Sequence, residues 1–226
     1  MSGHARDGLV RIPAGPGFIE GMLEWPQRTL GMVLFAHGSG SSRFSPRNNY
    51  VAAELRAAGM ATLLVDLLTA EEDERRASRF DIDLLSTRLV DVVRHLAQAP
   101  ATARLPLGVF GASTGAAAAL QLAAAMPERI GAVVSRGGRP DLAGEAALAH
   151  VKAPTLLIVG GLDAGVIELN EAAHARLTCP KELVIVPGAS HLFEEPGTLQ
   201  QVAALAADWF RRHLGVTGAT SEQAAQ

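Results

Sequence analysis

The 226-residue sequence has a single cysteine, Cys179. One thiol excludes a disulfide within the chain and a cysteine-rich metal site. Positive charge is not in excess either. The formal net charge is −3, so there is no overall basic footprint for nucleic acid. No apolar run is long enough to span a bilayer, and AAAALQLAAAM is nearer in length to a buried helix. The first residues, MSGHARDGLVRIPAG, lack the apolar core of a signal peptide. The expected setting is therefore soluble, reducing and cytoplasmic, with no membrane or nucleic-acid partner. A nucleotide-binding loop is also missing. GASTGA lacks the lysine of Gly-x-x-x-x-Gly-Lys-Ser/Thr, and GPGFIEG lies between two strand candidates instead of opening a helix. Internal repeats are absent too.

What is present is a substantial apolar fraction, 48% hydrophobic against 19% charged, enough for a sizeable core in a chain of one-domain length. Strand-like and helix-like runs alternate. LVRI and GFIEGMLEW read as two strands joined by the turn PAGPG. GMVLFAHG, ATLLVDL, LGVF, IGAVVS, TLLIVG and ELVIVPG read as buried strands, because short continuous apolar runs suit a sheet covered on both faces. Between them lie helical patterns. Ser45 is a candidate N-cap with Pro46 at the first helical position, and Gly59 is the stop. Ile82, Leu85, Leu89, Val92, Val93 and Leu96 recur at helical spacing. Further helices are expected over Thr114–Met126, around Leu142–His150, within Val166–Leu177 and over Thr198–Leu214. AEEDERRASR reads as a solvated charged loop. The expected architecture is α/β: an eight-stranded, mostly parallel sheet with helices on both faces, in one domain over residues 1–214. Residues 215–226 read as a disordered tail.

In such a sheet, reactive groups collect where strands end at their C-terminal edge. Four of these ends carry suggestive residues: AHGSG, GASTG, GGLDAG and PGASH. Ser113 sits in Gly-x-Ser-x-Gly between a strand and a helix, where a tight corner would project its hydroxyl. A serine needs a base, and His191, in the loop after the last strand, is the candidate. Asp163, after the seventh strand, is the preferred acid to orient the imidazole; Asp141, after the sixth, is its rival. The backbone N–H groups of Thr114 and Ser39 are the expected oxyanion donors. His37 is expected to hold that loop by hydrogen bonds. Arg43, Arg47, Arg136 and Arg139 also lie at strand ends. Each is a candidate ligand for an anionic substrate group, set against the alternative of internal ion pairing, Arg136 or Arg139 with Asp141 for instance. Phe35, Phe44, Phe80 and Phe193 are pocket or core.

HGSGSS, GASTGA, GGLDAGV and GASHLFEEPG, in that order, resemble the capless α/β-hydrolases of the dienelactone hydrolase type over Val10 to Leu214. The resemblance implies Ser113 as nucleophile, Asp163 as acid and His191 as base, the positions reached above, with no metal and no cofactor. It departs from the family at one place. The typical nucleophile there is cysteine, whereas this chain has Ser113, and Cys179 lies elsewhere in the turn TCPKE. The serine groups the chain with esterase-like relatives. Some relatives of this type also carry a phosphoribosyltransferase-like domain, and no stretch here reads as one. The expected substrate is a short acyl ester or small lactone, since no insertion supplies a lid. Transfer of the acyl group to another acceptor, or a non-catalytic binding module on the same fold, are the alternatives.

Overall fold

In a computed structural model, residues 7–15 and 17–215 are described. The expected tail, beyond Gly215, lies outside them. The chain opens with β1 (Gly8–Ala14) and β2 (Gly17–Glu24), an antiparallel hairpin with Ala14 paired to Gly17. Then follow β3 (Gly31–Ala36), α1 (Pro46–Ala57), β4 (Met60–Val65), the single turn α2 (Ala70–Asp73) and α3 (Ile82–Gln98). The second half comprises β5 (Leu107–Ala112), α4 (Thr114–Ala125), β6 (Ile130–Arg136), α5 (Glu145–His150), β7 (Thr155–Gly160), α6 (Ala164–Arg176), β8 (Lys181–Val186) and α7 (Thr198–Leu214). The strands form one sheet in the order β1-β2-β4-β3-β5-β6-β7-β8, parallel from β4 to β8, with β2 antiparallel to both neighbours.

The continuous apolar runs explain the layering. Every residue of β3, β4, β5 and β7 is buried. Alternate residues face opposite ways. Val33 and Phe35 join a core with Val51 and Leu55 of α1 and Trp209 and Phe210 of α7. Leu34 and Ala36 join the other core, with Leu89 and Val93 of α3 and the alanines of α4. Each large apolar side chain so buried contributes about 1.5–3 kcal/mol of transfer free energy. Helix α4 is buried nearly all round, which a run of Ala116–Ala119 permits because small side chains let it lie close to the sheet.

Helix boundaries follow the expected signals. Ser45 Oγ accepts the Asn48 N–H with Pro46 at the first helical position. α6 starts two residues earlier than expected, at Ala164. The stretch around Leu142 divides into a 3₁₀ turn, Pro140–Ala143, and α5. The charged stretch after β4 is not a plain loop. It forms α2 and a 3₁₀ turn over Arg76–Phe80. The reason is local: Thr69 and Glu72 make a reciprocal capping box, and Glu72 also pairs with the buried Arg88. No additional layer or cap stands over the C-terminal edge of the sheet among the described residues, and none of their helices is long and apolar enough to cross a membrane.

Candidate active site

Ser113 is the corner between β5 and α4. Its backbone stands at φ 51°, ψ −121°, one of two non-glycine positive φ values among the described residues. Such strain persists only where the surroundings impose it. Here they do. The Ser113 N–H donates to Arg136 O at 3.2 Å, and its carbonyl accepts from Ala116 N–H and Arg139 N–H, both at 3.1 Å. The flanking glycines are required by close approach. A Cβ on Gly111 would lie 2.4 Å from Ala116 Cα, and one on Gly115 would lie 2.2 Å from Ala36 O. The elbow thus locks α4 against the end of β3.

Asp163 precedes α6 after β7, and His191 lies in the loop after β8, the neighbouring strand. His191 Nδ1 and Asp163 Oδ2 are 2.6 Å apart. That contact fixes the tautomer with Nδ1–H donating to the carboxylate, leaving Nε2 free as a base. Asp141, the rival acid, is committed to a bidentate pair with Arg139, at 2.7 and 2.8 Å. Ser113 and His191 line one cavity of about 540 Å³, together with Ala112, residues 38–42 and 44–48, Arg136 and Leu192. No hydrogen bond joins Ser113 Oγ to His191; such contacts commonly close only around a reacting substrate.

Ser39 also lines this cavity, but its N–H is not open to it. It donates to Thr114 Oγ1 at 2.9 Å. The expectation of a free Ser39 donor is therefore corrected: the side chain of the first α4 residue reaches across to the glycine-rich loop and claims that hydrogen. The Thr114 N–H, in the first turn of α4, has no acceptor within the helix and lies at its positive end. His37 does hold the loop. Its Nε2 accepts the Leu67 N–H at 3.1 Å and its Nδ1 lies 2.9 Å from Gly38 O. Burial depresses its pKa, against the opposing pull of the Gly38 carbonyl, so the ring is held neutral.

The four strand-end arginines separate sharply. Arg43 is bound to Asp66 and, at 2.7 Å, to Glu20, and it lines a different cavity beyond His37. Arg139 is spent on Asp141. Neither lines the cavity at Ser113, and for both the ion-pairing alternative is the one seen. Arg47 lies at the cavity mouth and pairs with the exposed Glu194 at 2.9 Å. Arg136 is buried at the cavity wall with no carboxylate partner. The phenylalanines divide as well. Phe35 and Phe193 are core, Phe44 stands exposed at the cavity rim, and Phe80 is on the surface elsewhere.

Three supporting residues escaped sequence reading. Glu195 accepts the Ser190 N–H at 3.0 Å and so braces the histidine loop. Gly137, at φ 50°, lets the β6 turn pass within 3.1 Å of the His191 carbonyl, measured from where a Cβ would stand. Asn170, wholly buried in α6, donates to the Gly138 carbonyl at 3.0 Å and holds that turn. The Gly137-Gly138 pair was the one visible signal among them. Within the described residues no cluster of histidine, cysteine or carboxylates could hold a metal ion.

Comparison with known proteins gives the family and the fold. Residues 29–208 match the family model of the alpha/beta hydrolase domain. The solved structure of a dienelactone hydrolase from Anabaena variabilis is similar, with 57% identity and a TM-score of 0.90 over 92% of this chain and 98% of that one. A serine hydrolase without a lid from Xanthomonas campestris shares the fold at 21% identity and a TM-score of 0.76, over 94% and 97%. A protein of Mycobacterium tuberculosis that carries the provisional name phosphoribosyl transferase is 60% identical over 209 residues, 92% of this chain and 47% of that protein. The chain thus spans about half the length of the curated relatives it matches.

Proposed function

The chain belongs to the α/β-hydrolase family, and on that premise we propose that it hydrolyses carboxylic esters, short acyl esters or small lactones, through an acyl-enzyme on Ser113. The observation that carries this reading is one of position. A serine held at φ 51° shares a cavity with an imidazole whose other nitrogen is 2.6 Å from a carboxylate. In the first step His191 Nε2 takes the Ser113 proton as Oγ attacks the ester carbonyl carbon. The oxyanion forms beside the Thr114 N–H, at the positive end of α4. His191 then protonates the leaving alcohol and the C–O bond breaks. In the second step His191 draws a proton from water, whose oxygen attacks the acyl carbon, and Ser113 leaves with its proton restored. Asp163 stays ionised and stabilises the imidazolium.

The open edge of the sheet supports small substrates, since nothing among the described residues covers a long acyl chain. The phosphoribosyl transferase name belongs to proteins twice as long, and residues 29–208 of this chain are matched by the hydrolase family. Hydrolysis is therefore the proposed activity here. The test is labelling with a fluorophosphonate followed by peptide mapping. Label on Ser113 alone, lost in Ser113→Ala and sharply reduced in His191→Ala, is the expected result. Label elsewhere, or none in folded protein, would sink the proposal. A panel of short esters on wild type and Ser113→Ala then reads turnover.

A further inference from the structure

Arg136 is the last residue of β6, in register with Ala112, one residue before the elbow. It is 7% exposed and lines the same cavity as Ser113 and His191. Its Nε and Nη1 are buried without any acceptor, and its Nη2 reaches only Asn48 Oδ1, at the limiting distance of 3.5 Å. The guanidinium carbon lies 5.9 Å from the Phe193 ring centre, and the charge closest in effect is Arg47, of the same sign. Burial, and secondarily Arg47, push its pKa down to about 10, so it remains a cation at neutral pH. Neither the ring nor one long amide contact neutralises a buried charge, and leaving such a charge unpaired is costly. Every other strand-end arginine has a carboxylate.

We infer that Arg136, with Arg47 at the mouth, forms a subsite for an anionic oxyacid group on the substrate, a carboxylate or a phosphate, held a few bonds from the ester carbonyl. Because Nε and Nη1 are shut away, Nη2 is the edge that meets the anion, and Asn48 Oδ1 steers it there. Arg47 is exposed enough to swing from Glu194 to the incoming charge. The group sits in the same cavity as the scissile bond, since Arg136, Ser113 and His191 all line it. This subsite rests on reading the cavity as an ester-hydrolysing site, and it narrows that reading to esters bearing a second, ionised group.

The experiment compares charged and neutral esters of matched size by the acid they release. Monoethyl succinate is set against ethyl butyrate for a charge on the acyl side. Acetoxyacetate and 2-acetoxyethyl phosphate are set against ethyl acetate for a carboxylate or a phosphate on the alcohol side. Wild type is expected to favour at least one charged ester by about tenfold or more in kcat/KM. The ratio should collapse towards one in Arg136→Met and be partly kept in Arg136→Lys. No preference in wild type, or the same preference in Arg136→Met, overturns the inference. A second readout needs no turnover. Ser113→Ala is titrated with succinate and with inorganic phosphate, and binding should weaken with salt and with Arg47→Met, a half-buried change whose fold is checked by its Tm. If no ester is cleaved, the hydrolase reading falls, and this titration still decides the subsite. Failure of both anions to bind overturns it.

Discussion

Replacing Gly115 by alanine adds one methyl group at the tightest approach of any described glycine to backbone. That carbon would stand 2.2 Å from Ala36 O, 2.5 Å from His37 O and 2.7 Å from Ala36 C. All three are backbone atoms, so no side chain can turn aside. Ordinary contact needs about 1 Å more, and the gap must open between α4 and the end of β3. Overpacking of this kind costs about 1–3 kcal/mol, which for a chain of this size lowers Tm by about 2–12 °C at about 2–4 °C per kcal/mol. Catalysis should suffer more than stability. The strand end that moves carries His37, Gly38 and Ser39 away from Ser113, and a displacement near 1 Å can cost about a hundredfold in rate. Thermal unfolding and kcat/KM on a short ester would be measured together. Gly165→Ala is the control, because a Cβ there meets nothing within 4 Å in the first turn of α6; it should be neutral or stabilising by up to about 1 kcal/mol. A Gly115→Ala protein with wild-type Tm and wild-type turnover would show that α4 does not lock the oxyanion loop as described.

Two further outcomes follow from the same geometry. Asp163→Asn should lower kcat by about 10³–10⁴-fold with little change in fold, because an amide can hold the imidazole in the wrong tautomer. Asp141→Asn should leave kcat within about threefold, since it loosens only the half-exposed pair with Arg139, a contact worth about 0–1 kcal/mol; steady-state kinetics of the two variants, with the reverse ranking, would reassign the acid. His37 contributes to acid stability. Its folded pKa lies below the ordinary value of 6.5, so below that pH the unfolded chain binds the extra proton first. Its contribution is complete above pH 6.5 and is lost as the pH falls towards the folded pKa. Urea unfolding at several pH values should show His37→Gln with a shallower acid limb, by up to about 1.4 kcal/mol per pH unit. An unchanged slope would mean the ring is not held neutral.

The sheet was legible because its signals are local. Six strands announce themselves as short apolar runs, though β8, at the sheet edge, buries only Val186 instead of its whole length; Ser45-Pro46 marks the start of α1 on its own. That Asp163 meets His191, and that His191 shares a cavity with Ser113, was legible for a related reason. Each lies next to a strand end, and the order of parallel strands brings those ends together. Two failures share the opposite cause. The Thr69–Glu72 capping box was visible in sequence but hidden inside a run of charges, so local chemistry was overlooked in favour of composition. The Ser39 amide could not be assigned from sequence because its acceptor, Thr114 Oγ1, is 75 residues away.

The arginines show that limit most clearly, and they also show what the structure adds. In sequence all four stand just beyond a strand end and look alike. What separates them is whether a carboxylate comes within reach, and those partners are set by the whole fold: Glu20 lies 23 residues from Arg43, and Glu194 lies 147 from Arg47. Only Arg139 has its partner two residues on. Arg136 is distinguished by a lack, and a missing counter-charge leaves no mark in a sequence. The fold could have supplied one. Asn48 stands where an aspartate of almost the same shape would place a carboxylate against Arg136. Asn48→Asp should therefore fill the proposed subsite from within. Succinate and phosphate binding should drop at least about tenfold, the preference for charged esters should vanish, and the protein should gain stability from an ion pair in place of an unmatched charge. Loss of stability with anion binding intact would mean that Arg136 is neutralised by some other route and that the anions bind elsewhere.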